Sequence, residues 1–172
     1  QWVHIDEQTL DQLRAVARSA DATVNMLMMA VYSLMMGRAI DTDSVVVAVP
    51  VRGREAPELE QVMGFFTNLL LVQLQVDGGT NFLDYVRYVK QELLAVTSHL
   101  QIPFEHVAAE PELSGRANGA GPYHALFSFQ DARERPSDFG HGLTHRQIHL
   151  RQRGATDDLG LWLMDKAHGM EG

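Results

Sequence analysis

Cysteine is absent from this 172-residue sequence, and its absence excludes several kinds of chemistry. Disulfide bonds, thiolate zinc sites and cysteine nucleophiles cannot occur. A protein without disulfides suits a reducing compartment, so we expect a cytoplasmic location.

Positive charge is scarce as well. Lys and Arg number 14 against 22 Asp and Glu, which gives a formal net charge of −8. No basic patch with interleaved aromatic residues occurs, whereas nucleic acids and anionic membranes are bound through clustered Lys and Arg. The longest apolar stretch, Thr23–Met36, is too short to span a bilayer and contains Asn25 and Ser33. We therefore expect neither a nucleic-acid partner nor a membrane partner.

The residues that are present predict a folded globular unit with several helices. Apolar residues make up 45% of the chain, enough for a core in one domain or in one lobe of a larger domain. Apolar positions at helical spacing predict helices over Asp6–Ala20, Thr23–Gly37, Thr80–Leu100 and a short helix whose first residue is Pro103. A capping box of Thr9 and Gln12 is expected near the start of the first helix. Thr80 should cap the third helix, with Phe82 on its buried face.

Short apolar and β-branched runs between turn residues predict five strands. Their expected limits are Ser44–Val49, Leu69–Val76, His124–Gln130, Leu143–Leu150 and Leu159–Met164. Pro50 should end the first strand, and Pro111–Pro122 and Ala132–Gly142 should be loops. Helices and strands mix without strict alternation. This order predicts an α/β two-layer sandwich, a mixed sheet with helices mainly on one face.

No self-sufficient active site is evident from residue chemistry. His141, His145 and His149 are spaced by four, but on a strand four residues span about 13 Å, too far for one metal ion. Ser128 lies within a predicted strand rather than on the sharp turn that exposes a serine nucleophile. No glycine-rich phosphate-binding pattern surrounds Gly53. We expect no metal site and no catalytic residue in this chain.

Four stretches, taken in order, resemble the later core motifs of condensation domains from nonribosomal peptide synthetases. They are motif A, "VVVAVPVRGR" (Val45–Arg54); motif B, "MGFFTNLLLVQL" (Met63–Leu74); motif C, "SHLQIPFEHV" (Ser98–Val107); and motif D, "YHALFSFQD" (Tyr123–Asp131). The closing residues "DLGLWLMDKAHGMEG" also fit, so the resemblance extends over essentially the whole chain.

The resemblance implies that residues 1–172 are the C-terminal lobe of a two-lobed, chloramphenicol-acetyltransferase-like domain. In that family, amide bonds of antibiotics and other secondary metabolites form between a donor acyl or aminoacyl thioester and an acceptor amine. The signature His-His-x-x-x-Asp-Gly belongs to the N-terminal lobe and does not occur in this sequence. We therefore expect a truncated piece of a longer protein that is inactive alone.

The implied partners are the N-terminal lobe, peptidyl or aminoacyl carrier domains and an adenylation domain. No cofactor should bind directly, because the substrates ride on phosphopantetheine arms of the carriers. The isolated lobe is expected to self-associate through Phe65, Phe66 and the Ala132–Gly142 loop, which would lose their natural cover.

The resemblance also suggests roles for individual residues. A substrate tunnel would be lined by Val49, Phe65, Phe66, Asn68, Ser128 and Gln130, and structural motif positions would be Arg54, Gly64, Pro103, Phe104 and Glu105. Glu55–Met63 would cross to the other lobe, and Gly64–Asn68 would turn back beside the tunnel.

Elementary chemistry offers reasons for the residues of this turn. Gly64 would supply backbone freedom, Phe65 and Phe66 would face opposite sides, and Asn68 would bond loop groups that lack ladder partners. The alternative is a plain loop anchored by aromatic residues.

Other functions remain open on the sequence. Phe66-Thr67 followed by a leucine-rich run is also seen in heterocyclization domains, although those lack the Ile-Pro-Phe-Glu of motif C. An epimerization domain, an acyltransferase that uses coenzyme A thioesters, and a non-catalytic scaffold module are the further alternatives.

Overall fold

The computed structural model describes residues 1–53, 56–59, 61–114, 122–134, 141–143 and 158–172. The elements in these ranges are β1 (His4–Asp6), α1 (Glu7–Ser19), α2 (Val24–Ala39), β2 (Ser44–Arg52), a 3₁₀ turn (Pro57–Leu59), β3 (Thr67–Gln75), α3 (Phe82–Thr97), α4 (Phe104–Ala108), α5 (Pro111–Ser114), β4 (Ala125–Asp131), β5 (Gly160–Lys166) and β6 (Gly169–Glu171).

The strands form one mixed sheet in the order β1-β6-β5-β4-β2-β3. Strand β4 runs parallel to both of its neighbours, β5 and β2, and the remaining pairs are antiparallel. Alternate side chains of the central strands share one buried core with α1, α2 and α3; among them are Val47, Val72, Phe127, Leu10, Leu27 and Val86. The predicted α/β sandwich with a mixed sheet is therefore confirmed.

Pro50 does not end β2, contrary to the prediction. Both backbone groups of Val46 bond to His124 on the β4 side, so even-numbered residues of β2 direct their N–H and C=O groups toward β4. The two strands stay paired only as far as Ala48. At Pro50 the missing N–H would point into the space where β4 has already diverged. The β3 ladder therefore continues through the Pro50–Leu69 pair without losing a bond.

Two predicted helix caps are wrong because neighbouring residues fit the position better. Asp6 caps α1, and its carboxylate accepts the N–H of Thr9 at 2.8 Å, whereas Thr9 lies inside the helix. Asn81 caps α3 by accepting the N–H of Leu83, whereas the Thr80 hydroxyl bonds back to Asp77 in the preceding turn.

Gly37 does not end α2, which continues to Ala39. Its lack of a side chain serves packing instead. A Cβ at Gly37 would lie 2.8 Å from Cγ1 of Val76 and 3.0 Å from the backbone oxygen of Thr42. The glycine therefore lets the end of β3 pack against the helix, which local sequence alone does not reveal.

The other boundaries differ by smaller amounts. Strand β3 begins two residues earlier than predicted, Pro103 caps α4 rather than opening it, and α5 replaces the start of the predicted loop Pro111–Pro122. The short strands β1 and β6 escaped prediction. The strand predicted at Leu143–Leu150 lies almost entirely outside the described residues and stays a prediction.

A buried hydrogen bond joins α2 to α3. The hydroxyls of Ser33 and Tyr85 lie 2.9 Å apart, and Ser33 also donates to the carbonyl of Ala30. Tyr85 fills the buried position that was predicted for Phe82, which is partly exposed. Burial raises the pKa of the Tyr85 hydroxyl, so this group stays a neutral hydrogen-bonding partner.

Replacement of Ser33 by alanine should destabilise the chain by about 1–3 kcal/mol, because Tyr85 keeps a buried hydroxyl that has lost its partner. The measurement is urea unfolding followed by circular dichroism. The double variant Ser33→Ala/Tyr85→Phe should lose less than the sum of the two single variants. Strict additivity would show that the two hydroxyls do not interact.

Candidate functional site

Motifs A and B meet at the backbone of Phe66. The N–H of Gly53 donates to the carbonyl of Phe66 at 2.7 Å, and a Cβ at Gly53 would lie only 2.5 Å from that oxygen. A Cβ at Gly64 would lie 2.9 Å from the Phe66 ring. The predicted reason for Gly64, backbone freedom, is corrected here: its φ is not positive, and the glycine makes room for the ring.

The two phenylalanines of motif B have different surroundings, as alternation predicts. Phe65 is 89% exposed and the neighbouring Met63 is 97% exposed, whereas Phe66 is partly buried. The bend between the 3₁₀ turn and β3 thus presents large apolar side chains to solvent. Large apolar side chains in this state are typical of a surface that another molecule or domain covers.

Asn68 makes four hydrogen bonds, three of which join motif B to motif C. Its amide nitrogen donates to the carbonyls of Leu100 at 3.2 Å and Ile102 at 2.8 Å. Its amide oxygen accepts the N–H groups of Leu69 and Phe104, each at 3.0 Å. A side-chain amide has two donor hydrogens and two acceptor positions, so all four are used within the chain.

The bond to Phe104 is a helix cap supplied from a distance. Phe104 is the first residue of α4, and the cap residue, Pro103, has no side-chain acceptor. Asn68, which is 36 residues away in sequence, supplies the acceptor instead. Asn68 thus bonds to loop backbone, as the sequence predicted. Pro103 and Phe104, which were predicted to be structural positions, lie in the segment that Asn68 holds.

Motif D contacts both motif C and motif A, which completes a closed circuit of contacts among the four motifs. The rings of Phe104 and Tyr123 lie 6.3 Å apart, which links motifs C and D. The N–H of His124 donates to the carbonyl of Val46 at 2.9 Å, and Nδ1 of the same residue accepts the Val46 N–H at 3.0 Å. Since Nδ1 accepts here, it carries no proton. The sequence indicated no role for His124, because its partner is a backbone amide.

The remaining predicted tunnel residues do not share one face of the sheet. Val49 packs against the core beneath the helices, whereas alternation places Ser128 and Gln130 on the opposite face. Ser128 is buried and Gln130 partly buried. Glu105 is exposed on α4, and Arg54 lies outside the described residues. A tunnel role for any of these residues stays a prediction.

A cluster of charges secures the ends of β4 and β5. Asp131 and Asp165 stand opposite each other in the parallel pair. Arg14 donates to the buried Asp165 carboxylate at 2.7 Å, and Arg133 donates to Asp131 at 2.9 Å with its Nε 3.7 Å from Asp165. Hydrogen bonding from Arg133 lowers the pKa of Asp131 to about 2. The two arginines thus place positive charge beside both carboxylates.

Other binding chemistry is not evident. Within the described ranges, no group of three or more His, Asp and Glu side chains could hold a metal ion, and no helix is long and apolar enough to cross a membrane. His141 lies in a turn, and the other two histidines of its series fall outside the description. An open pocket of 280 Å³ at the α1–α2 corner is lined by Arg18, Asp21, Ala22, Thr23, Met26 and Lys90, none of them in the four motifs.

Comparison with known proteins points to one family. A family model described as the condensation domain matches residues 1–151. Tyrocidine synthase 3 from Brevibacillus parabrevis is 27% identical over 128 residues, which cover 74% of this chain and 2% of the synthase.

Solved structures agree in fold. The first condensation domain of the CDA synthetase superimposes with a TM-score of 0.75 at 22% identity and is matched over 99% of this chain and 38% of its own. The condensation domain from Monacolin K polyketide synthase MokA gives a TM-score of 0.82 at 18% identity, over 99% of this chain and 40% of its own. The chain thus spans well under half the length of these solved chains.

Replacement of Asn68 by alanine should lower the free energy of unfolding by about 1–3 kcal/mol or more, because two carbonyls and the α4 N-terminus lose their partner. The matched control is Asn81→Ala, which removes an exposed cap with one backbone bond and should cost about 1 kcal/mol. Urea unfolding of both variants gives the comparison. Equal losses would mean that the Asn68 bonds add nothing beyond an ordinary cap.

Acid should weaken the chain partly through Asp131. Its pKa in the folded state, about 2, lies below the ordinary value of 3.8, so its stabilising contribution is present above 3.8 and lost as the pH falls toward 2. Both Asp131→Asn and Arg133→Gln should flatten the fall in stability across that window. The measurement is urea unfolding at a series of pH values. An unchanged slope in both variants would exclude this pair as a source of acid sensitivity.

Proposed function

The chain belongs to the condensation-domain family, and from that membership we propose that it is the C-terminal lobe of an amide-forming domain in a nonribosomal peptide synthetase. In the proposed reaction, the acceptor amine attacks the donor thioester carbonyl, a C–N bond forms, and the C–S bond breaks with release of the phosphopantetheine thiol. The observation that carries the proposal is the closed circuit of motifs A to D, with Asn68 tying motif B to motif C and apolar residues exposed beside it.

The proportions of the solved relatives support the assignment to one lobe. They match this chain almost end to end, yet more than half of each relative has no counterpart in it. The exposed side chains of Met63, Phe65 and Trp162 would then face the N-terminal lobe or the space between the lobes. Trp162 stands opposite Ser128 on the sheet face away from the helices, where this lobe would supply a wall of the tunnel.

The group that accepts a proton from the attacking amine would lie in the other lobe. The attacking amine must lose a proton, a step that commonly requires a histidine or carboxylate within hydrogen-bond reach. Among the described histidines, His124 uses Nδ1 to hold Val46, and the others are exposed and lie outside motifs A and B. This lobe would contribute positioning, one wall for the two phosphopantetheine arms and part of the carrier-docking surface.

Asn68 would act on architecture rather than on substrate. Its amide has no donor or acceptor left for a thioester or a pantetheine arm, since all four positions are bonded within the chain. In the two-lobed protein, Asn68→Ala should lower the melting temperature while the fraction that stays folded turns over normally. An unchanged melting temperature with most of the turnover lost would instead place Asn68 at the substrate.

The chain alone should not form amide bonds. The assay uses carriers loaded with donor and acceptor, and the product is measured by mass spectrometry of the released amide. We expect no turnover above a carrier-only control, and turnover once the N-terminal lobe is supplied on the same polypeptide. Turnover by the 172-residue chain itself would contradict the proposal. A two-lobed protein that binds carriers without turnover would favour a scaffold.

A further inference from the structure

We propose that the outer edge of β3 pairs with β3 of a second copy of this chain about a two-fold axis at Val72. Among the strands that the structure describes, β3 lies at the end of the sheet and pairs with β2 alone. This inference stands on the backbone of β3 and is independent of the proposed function.

Hydrogen bonds at the two ends of the β2–β3 pair show which backbone groups of β3 face β2. The N–H of Val76 donates to Asp43 at 2.7 Å, and the carbonyl of Phe66 accepts from Gly53 at 2.7 Å. Even-numbered residues therefore face β2. Alternation then directs the N–H and C=O groups of the odd-numbered residues from Thr67 to Gln75 away from the sheet.

Within the described ranges, side chains cover this edge at both ends and leave its middle open. The outward N–H of Leu69 is taken by the Asn68 side chain at 3.0 Å, and that of Gln75 by the Tyr88 hydroxyl at 3.1 Å. Between them, the outward N–H groups of Leu71 and Gln73 bond to no group that the structure describes. An edge with unpaired backbone groups is a template for a further strand.

The open window is symmetric about Val72, and this symmetry selects the occupant. If two β3 strands meet antiparallel with Val72 opposite Val72, Leu71 of each copy faces Gln73 of the other. Four N–H···O=C bonds then form, and they use all four open N–H groups and all four matching carbonyls. The arrangement closes on itself as an isologous pair, because the covered ends leave no room for a third strand.

Charge favours the same occupant. The chain carries a net charge of −8, yet no charged residue occurs from Met63 to Val76. Two copies can therefore meet along β3 without bringing like charges of this segment together. Natural edge strands usually carry a charge or a proline that blocks such pairing, and neither is present between Thr67 and Gln75.

The test combines sedimentation with hydrogen exchange of the 172-residue chain over a range of concentrations. Dimer formation should slow exchange at the amides of Leu71 and Gln73 as the concentration rises. The amide of Val72 faces β2, so it should be protected at every concentration and serves as an internal control.

Gln73→Pro is the diagnostic variant, because it removes an outward N–H and no backbone bond to β2; the side-chain bond to Ser44 that it also removes is matched in the control below. It should weaken the dimer by about tenfold or more, since each pair loses two of its four bonds. Gln73→Ala is the matched control: it removes the side-chain bond to Ser44 but keeps the amide, and should dimerise like the wild type. Phe65→Ser should also leave the dimer intact.

Several results would overturn the proposal. One is a monomer at high micromolar concentration with rapid exchange at Leu71 and Gln73. Another is a dimer that survives Gln73→Pro, or one that Phe65→Ser abolishes, since either would place the contact elsewhere. If Gln73→Pro does not fold, the concentration dependence of exchange in the wild type decides. Protection of both amides that does not change with concentration would assign the edge to a segment of the same polypeptide.

Discussion

The hydrogen bonds of one asparagine set the positions of the segments around the candidate site. Asn68 holds the start of β3 against the loop that precedes α4 and caps that helix, so two stretches far apart in sequence become one rigid corner. The contacts of Gly53 and Gly64 with Phe66 fix the strand that enters this corner. The Phe104–Tyr123 contact connects the corner to the start of β4. If that corner loosened, the exposed phenylalanine beside it would lose its fixed direction.

Sequence patterns were sufficient for the types of element and for the class of fold. Helical and strand periodicity indicate which face of a segment is buried, because the apolar residues that form the pattern are the ones that pack in the core. The element ends were less predictable because tertiary contacts decide them. Pro50 stays within β2 since its missing N–H faces a gap, and Gly37 stays within α2 since Val76 needs its space. Neither reason can be read from the neighbouring residues.

The site shows the same division. An asparagine before a buried strand indicated a tie to loop backbone, and that tie exists. Its partners on the α3–α4 loop could not be predicted, because every residue has a backbone carbonyl and the sequence does not mark the ones that accept. His124 escaped notice for the same reason, since it bonds to the amide of Val46. The predicted tunnel residues were gathered by resemblance, and the sheet separates Val49 from Ser128 by simple alternation.

The circuit of motifs also bears on how synthetases can be recombined. Hybrid enzymes are assembled by joining segments of different parents, and a joint is tolerated where few contacts cross it. A crossover between motif B and motif C would pair Asn68 from one parent with the α4 N-terminus of another, and one after motif A would separate Gly53 from Phe66. Residues from Val45 to Asp131 should therefore be inherited as one block, so that all four motifs come from the same parent.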